Sequence, residues 1–416
     1  MKKVLNLSDY LKFTPLLLTY FLISLIKFHD ILIGDEDDYL RYADNLLKGF
    51  YANDNPQHDY LWYGPGYPIF LAIFRFFNCN LLIPKLFNCL FIYFGNVMFF
   101  KSLKKIIPEI QAIFLTSAVG LYYPFLAFSI PSLLTEALSY FLICSLILNF
   151  SLFILNNNKK RMWIAVISLG YLALTKIIFA YVIMMLFIIF IPFLMFKKTY
   201  KVFKKYILLL FLSFCLTTPY LVYTHSLTGK LLYFGDSGGM SLYWMSTPYK
   251  GEFGDWHPFT SLETKPKIYK NHAMFVNTIK NLHPVEKDIA LKKKAIQNIK
   301  NNKFKFFKNW QYNLSRLFFN RPYSAYNEPR YSFVIDYLFN GILLFLFIAT
   351  IFLNFKNIKK ISPLFYFLGT FVLVYLGGIS LLSCYPRFLH ILFPVIIMWT
   401  SYTINEFVNL KFKYKD

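Results

Sequence analysis

The chain is expected to be an all-α integral membrane protein of about ten transmembrane helices, with an outward juxtamembrane first loop and one long extracytoplasmic loop. Three observations lead there. The 416 residues have a mean hydropathy of +0.45, 57% are apolar and only 16% are charged. The apolar residues come in long runs rather than an even scatter, and only helices satisfy every backbone group inside one apolar segment. Lysines gather in clusters between those runs.

With roughly 20 apolar residues to cross a bilayer, spans are expected near 13–33, 81–100, 110–128, 132–154, 162–176, 177–196, 206–224, 333–355, 361–383 and 387–407. The segment 162–176 is short and also reads as a half-membrane piece. Lys101/Lys104/Lys105, Lys159/Lys160/Arg161, Lys197/Lys198/Lys201/Lys204/Lys205, Lys356/Lys359/Lys360 and the Lys411/Lys413/Lys415 tail fall on one side. The opposite turns, near Pro131 and Lys176, are nearly uncharged. Cytoplasmic loops carry the excess of Lys and Arg, which places both termini in the cytoplasm and the protein, multi-pass, in the inner (cytoplasmic) membrane. The net charge of +23 is thus mostly topology, and no nucleic-acid partner is expected. The five cysteines are scattered without disulfide or zinc spacing. The first span is too long for a signal peptide and is expected to stay uncleaved.

Three divisions follow: an N-terminal transmembrane domain over 1–225 with its first outer loop at 30–80, an extracytoplasmic domain over 226–332, and C-terminal helices over 333–416. The first loop opens with Gly34-Asp35-Glu36-Asp37-Asp38-Tyr39, four carboxylates at the mouth of a membrane helix. Tyr39, Ala43, Leu46 and Leu47 then recur at helical period, so a short amphipathic helix on the membrane surface is predicted, with Asp35 as N-cap and Gly49 at its far end. Trp62 to Pro68 carries the Pro/Gly punctuation that turns the chain back to the membrane. The basic, aromatic stretch from Glu286 to Phe319 reads as helix that lies against anionic lipid or helps cover a site. No internal repeat is visible, which weighs against pseudo-symmetric transporter folds.

Acids and bases without a topological duty gather on the outer face: Asp35, Glu36, Lys85, Glu136, Lys176 and Arg387. Ionisable groups at the membrane edge are functional candidates because each is costly to place there. Carboxylates facing cations suit one task, an acid that deprotonates a hydroxyl acceptor while Lys and Arg hold a phosphate leaving group. Plainer readings stand beside this. Asp35 reads also as a helix cap, with Asp37 and Asp38 favouring the helix dipole. Lys85, Lys176 and Arg387 read also as snorkelling cations, and Tyr and Trp at 60–67 as an interfacial belt. His390 reads as a satisfied interior histidine. The adjacent acids are oxygen ligands of the kind divalent metals take, but no other ligand cluster accompanies them, so no metal or other cofactor is expected.

The ordered series of residues resembles the C-type (GT-C fold) polyprenyl-phosphate-sugar-dependent membrane glycosyltransferases, which include protein O-mannosyltransferases and bacterial aminoarabinose transferases. The carriers are Asp35, Tyr39, Ala43, Leu46 or Leu47 and Gly49; then Pro65-Gly66-Tyr67-Pro68; Lys85 with Asn88; Thr135-Glu136; Leu174-Thr175-Lys176; and Arg387-Phe388 with Pro394. The resemblance implies an inverting transfer from a polyprenyl-phosphate sugar to a lipid, polysaccharide or protein acceptor. It implies Asp35 as general base, Glu36 and Glu136 positioning acceptor or sugar, and Lys85, Lys176 and Arg387 on the lipid phosphate. The chain departs from the family after the seventh span. Pro219-Tyr220-Leu221-Val222-Tyr223-Thr224 lacks the Arg and Asn expected there, and Met245-Ser246 stands where Gly-Asn is expected. Rival readings are a polysaccharide polymerase or ligase using lipid-diphosphate oligosaccharides, a membrane transporter or flippase, and an inactive assembly factor.

Overall fold

In the computed structural model, residues 7–32, 34–53, 60–197, 199–259, 262, 266–324, 336–357 and 360–408 are described. Lys198, Lys359, the Lys411/Lys413/Lys415 tail and the first six residues lie outside them. The described residues are all-helical. Five helices are long and apolar enough to cross a membrane: Leu82–Leu103, Glu136–Asn156, Ile178–Met195, Tyr337–Asn354 and Pro363–Ser380. A sixth crossing is made if Tyr200–Cys215 and Thr218–Thr228, bent by 48°, count as one span. This is a multi-pass helical membrane protein. Leu18, Leu22, Ile167, Ile188, Phe211, Phe345 and Leu373 all stand exposed on its outside, as a lipid-facing surface requires.

Several predicted spans are shorter or broken, for identifiable reasons. The helix expected over 13–33 runs only over Thr14–Ile26. Polar Lys27, His29 and Asp30 follow, and the His29 carbonyl is taken by Lys85 Nζ at 2.9 Å, an acceptor that a continuing helix would have to satisfy itself. The expected 206–224 span bends between Tyr200–Cys215 and Thr218–Thr228. Pro219 is the cause, because its ring clashes with the carbonyl four residues back, at Cys215. The expected 387–407 span divides in the same way into Pro386–His390 and Phe393–Phe407, with Pro394 four residues after His390. The short segment 162–176 is a helix over Lys159–Thr175, N-capped by the Asn158 side chain.

Most of the membrane helices share one apolar core rich in Phe and Tyr. A second, smaller core of Met240, Tyr243, Trp244, Ile279 and Leu291 belongs to the long segment between the two groups of membrane helices. There Ser237–Met245 packs on Pro284–Asn301, and Lys303–Phe319 packs against the Ser380 end of Pro363–Ser380 and against Pro386–His390. Asn309, Asn313 and Arg316 are buried on the inner face of Lys303–Phe319, while Lys303, Phe304, Phe307 and Lys308 are exposed.

The amphipathic helix after the first span forms over Asp35–Leu47, with Gly49 just past its end at φ +89°. Its N-cap is Gly34, at φ +63°, and not Asp35. Asp35 is the first helical residue, its carboxylate turned to Arg387 and Tyr63 instead of back onto the helix's own amides.

The loop at 64–66 seats the end of Lys159–Thr175. Tyr171 Oη donates to the Gly66 carbonyl at 2.7 Å. A Cβ at Gly66 would lie 2.6 Å from Thr175 Oγ1, and one at Gly64 would overlap the Leu174 carbonyl oxygen. The neighbour is backbone and cannot swing aside, so Gly64→Ala is expected to destabilise by about 1–3 kcal/mol, as overpacking does. A lowered unfolding midpoint in detergent checks this; an unchanged one would mean that the two segments do not touch.

Candidate active site

The residues after these tight contacts are the chemically interesting ones. Lys176 follows the Lys159–Thr175 helix directly, Glu136 begins the Glu136–Asn156 helix, Asp35 begins the amphipathic helix and Arg387 lies in Pro386–His390. Four helix termini therefore meet at one edge of the bundle. Arg387 Nη2 donates to Asp35 Oδ2 at 2.7 Å, across 352 residues of sequence. Lys176 Nζ donates to Glu136 Oε1 at 3.0 Å, and Arg387 Nε stands 4.0 Å from the same oxygen. The result is an alternating row, Lys176–Glu136–Arg387–Asp35. Phe388 underlies its cations, its ring centroid 5.1 Å from Lys176 Nζ and 5.4 Å from the Arg387 guanidinium carbon.

The row is graded in exposure. The Glu136 and Lys176 side chains are 3% and 10% exposed, whereas Asp35 and Arg387 are 27% and 39%. One end is thus sunk and the other open. Glu136 Oε2 is buried with no hydrogen-bond partner, an acceptor left unused in a place where unsatisfied polar atoms are costly.

Tyr63 joins the site although nothing in the sequence singled it out from the aromatic belt. Its hydroxyl donates to Asp35 Oδ1 at 3.0 Å, with Asp38 Oδ2 as an alternative acceptor at 3.4 Å. The Tyr63 ring packs on buried Tyr39 at 4.5 Å between centroids. That contact explains why Tyr39 sits one turn after Asp35: it carries the platform that aims Tyr63.

Two candidates stand one step outside the row. Glu36 is buried and its Oε1 accepts the Leu133 backbone N–H at 2.6 Å, tying the amphipathic helix to the turn before Glu136. Lys85 is fully buried, holds the His29 carbonyl, and lies over the Phe28 ring at 5.4 Å. Asn88 holds the same turn from the other side, through the Ser132 carbonyl at 2.8 Å. His390 is buried, its Nε2 3.2 Å from the Tyr122 hydroxyl, a satisfied interior histidine.

The acids do not converge on a common point. Asp35 faces Arg387, Glu36 faces Leu133, and Asp37 and Asp38 both reach Arg41, the former at 3.1 Å. Among the described residues, no three His, Cys, Asp or Glu side chains group as a metal site.

Burial acts most strongly on the Asp35 carboxyl and pushes it up. The charge and hydrogen bond of Arg387, the Tyr63 hydroxyl and the Lys176 charge outweigh burial, and the net displacement is below the ordinary carboxylate value. A carboxyl depressed in this way contributes stability that is fully present above its unfolded value and is lost as pH falls through the folded one. In Arg387→Gln the two largest influences that oppose burial vanish, so the Asp35 carboxyl rises and the acid limb of any Asp35-dependent rate is expected to move to higher pH. A pH–rate profile for both proteins checks this. Superimposable acid limbs would detach Asp35 from Arg387.

No protein-family profile matches the chain, and no curated protein sequence matches it. Among solved structures, the chain is similar to ArnT from Cupriavidus metallidurans bound to undecaprenyl phosphate, at 11% identity and TM-score 0.44, over 94% of this chain and 77% of that one. It is also similar to the archaeal oligosaccharyltransferase AglB from Archaeoglobus fulgidus, in complex with an inhibitory peptide and a dolichol-phosphate, at 14% identity and TM-score 0.47. That likeness covers 94% of this chain and 50% of AglB, so the chain spans half of that protein's length.

The row supports a defined kind of chemistry. Arg387 and Lys176 offer two cations about one carboxylate apart, a fit for an oxyanion. Asp35, at the open end, is a carboxylate that a hydroxyl can reach. Glu136 Oε2 is left as a buried acceptor with unused hydrogen-bonding capacity.

Proposed function

We propose that the protein is a glycosyltransferase that moves a sugar from a polyprenyl-phosphate donor to a hydroxyl acceptor at the outer face of the cytoplasmic membrane. The observation that carries this reading is the alternating row itself. Asp35, Glu136 and Lys176 of the first half of the sequence meet Arg387 of its last part at one end of the helix bundle, where a lipid-borne phosphate would present itself. A solute pathway would instead place its polar groups through the middle of the bilayer.

In this mechanism Asp35 takes the proton of the acceptor hydroxyl, and the oxygen attacks the anomeric carbon. The bond from that carbon to the phosphate oxygen breaks, its electron pair stays on the phosphate, and Arg387 and Lys176 hold the charge that develops there. Attack opposite the departing phosphate inverts the anomeric centre. Before donor binding, Arg387 is occupied by Asp35. A phosphate that draws Arg387 away leaves Asp35 with less neutralising charge, so its carboxyl rises and becomes the better base as the donor arrives. Glu136 Oε2 accepts a sugar hydroxyl, and Glu36 and Lys85 keep the surrounding turns in place for acceptor and donor.

Membranes containing the protein, incubated with isotopically labelled polyprenyl-phosphate sugars, are expected to yield a labelled product with the lipid phosphate released. Release and transfer absent across hexose and pentose donors, with the lipid-diphosphate oligosaccharides used instead, would replace this reading with a polymerase or ligase.

The exposed face of Lys303, Phe304, Phe307 and Lys308 is assigned to anionic lipid, aromatic residues dipping and lysines pairing with headgroups. Changing Lys303 and Lys308 to Gln together is expected to reduce activity in nanodiscs rich in anionic lipid and not in zwitterionic ones. Equal effects in both would remove the assignment.

A further inference from the structure

Arg387 is held in place from outside the membrane. The turn from Ser380 to Tyr385 links Pro363–Ser380 to the short helix that presents Arg387, and the segment over 226–332 binds it at three backbone groups and two side-chain hydroxyls. Asn313 Nδ2 donates to the Ser380 carbonyl at 2.8 Å and to the Leu382 carbonyl at 2.5 Å. Asn313 Oδ1 accepts from the Cys384 backbone N–H at 3.0 Å and from Arg316 Nη2 at 2.7 Å. Ser383 Oγ donates to the Gly254 carbonyl at 2.8 Å, and the Tyr385 hydroxyl to the Trp256 carbonyl at 3.2 Å.

Asn313 and Arg316 are fully buried. Every hydrogen-bonding position of the Asn313 amide is used, two as donor and two as acceptor. No other side chain of its size offers that set: Asp has no donor and Leu has neither. Arg316 fixes the amide from behind while its Nη1 donates to the Phe253 and Pro322 carbonyls at 3.2 and 2.9 Å. Tyr385 then precedes a single-turn helix in extended conformation. A helix of five residues has little intrinsic stability, so its direction is set by what holds it: the turn before it, together with the Tyr375 hydroxyl on the Phe388 carbonyl at 3.0 Å and His390 against Tyr122.

We infer that Asn313 is a positioning residue through which the extracytoplasmic domain sets Arg387 against Asp35. The geometry stands by itself; only the consequence for phosphate binding rests on the function proposed above.

A double-mutant cycle tests it. Unfolding midpoints are measured in detergent for the full chain carrying Asn313→Asp, Asp35→Asn, or both. Asp35→Asn is expected to lower the midpoint in the wild-type background and to have less than half that effect once Asn313 is changed, because Arg387 is already displaced. Strictly additive shifts overturn the inference. Should Asn313→Asp fail to fold, Asn313→Gln, which keeps the amide but moves it by one methylene off the Ser380, Leu382 and Cys384 backbone groups, takes its place; a reduced Asp35→Asn shift in that background supports the inference and an additive one overturns it.

A second readout is binding of polyprenyl monophosphate. Asn313→Asp is expected to weaken it about tenfold, the size of one charge-assisted hydrogen bond, and to have no further effect in an Arg387→Gln background. If the wild-type protein binds no polyprenyl monophosphate while the thermal cycle still couples, the functional reading falls and the positioning role stands. If wild type and Asn313→Asp bind it equally, the positioning role falls.

Discussion

Asp35→Asn is expected to lower sugar transfer by about 10²- to 10⁴-fold, the contribution of a positioned general base. The substitution is nearly isosteric, and an amide oxygen still accepts from Arg387 Nη2 and from the Tyr63 hydroxyl. Expression and membrane insertion should therefore stay normal, and the amide is left unable to take a proton. Initial rates of label transfer from a polyprenyl-phosphate sugar, normalised to the amount of folded protein, measure this. Wild-type rates in the variant would assign the base elsewhere and leave Asp35 as a structural partner of Arg387.

Lys176→Met is expected to cost about 3–5 kcal/mol of stability, the effect of removing one member of a buried ion pair. Glu136 is 3% exposed, one of its oxygens has no partner, and Arg387 at 4.0 Å is too far to replace the ammonium. The carboxylate would lose its hydrogen-bonded partner and keep only the more distant Arg387 guanidinium inside the bundle. Adding Glu136→Gln should restore most of the lost stability, because a neutral amide beside an apolar side chain carries no uncompensated charge, while transfer stays lost in both proteins. Unfolding midpoints for the two single variants and the pair decide the matter; an unchanged midpoint for Lys176→Met would show that water already reaches Glu136.

The convergence of Asp35, Glu136, Lys176 and Arg387 was legible because ionisable residues are the exception in a chain this apolar. Four of them at predicted helix ends on one face leave few other arrangements. Tyr63 was not legible for the opposite reason: among 32 tyrosines nothing marks the one whose hydroxyl meets the acid. Asn313 was hidden by distance, since its partners are backbone groups about 70 residues on, and backbone groups leave no trace in side-chain patterns. The cap of the amphipathic helix was misplaced by one residue because cap preferences assume a side chain free to fold back, and Asp35 is engaged by Arg387. Span lengths failed where prolines stand: hydropathy at Pro219 and Pro394 is continuous, but the helix is not.

The pairing of Asp35 with Arg387 also has a consequence for biosynthesis. A ribosome delivers the acid early and the guanidinium only 352 residues later. Chains released before that point insert most of their helices and bury the same tyrosines, yet carry a half-built centre. Termination in the last stretch before Arg387 is thus expected to leave an anchored polypeptide that lacks the partner of Asp35.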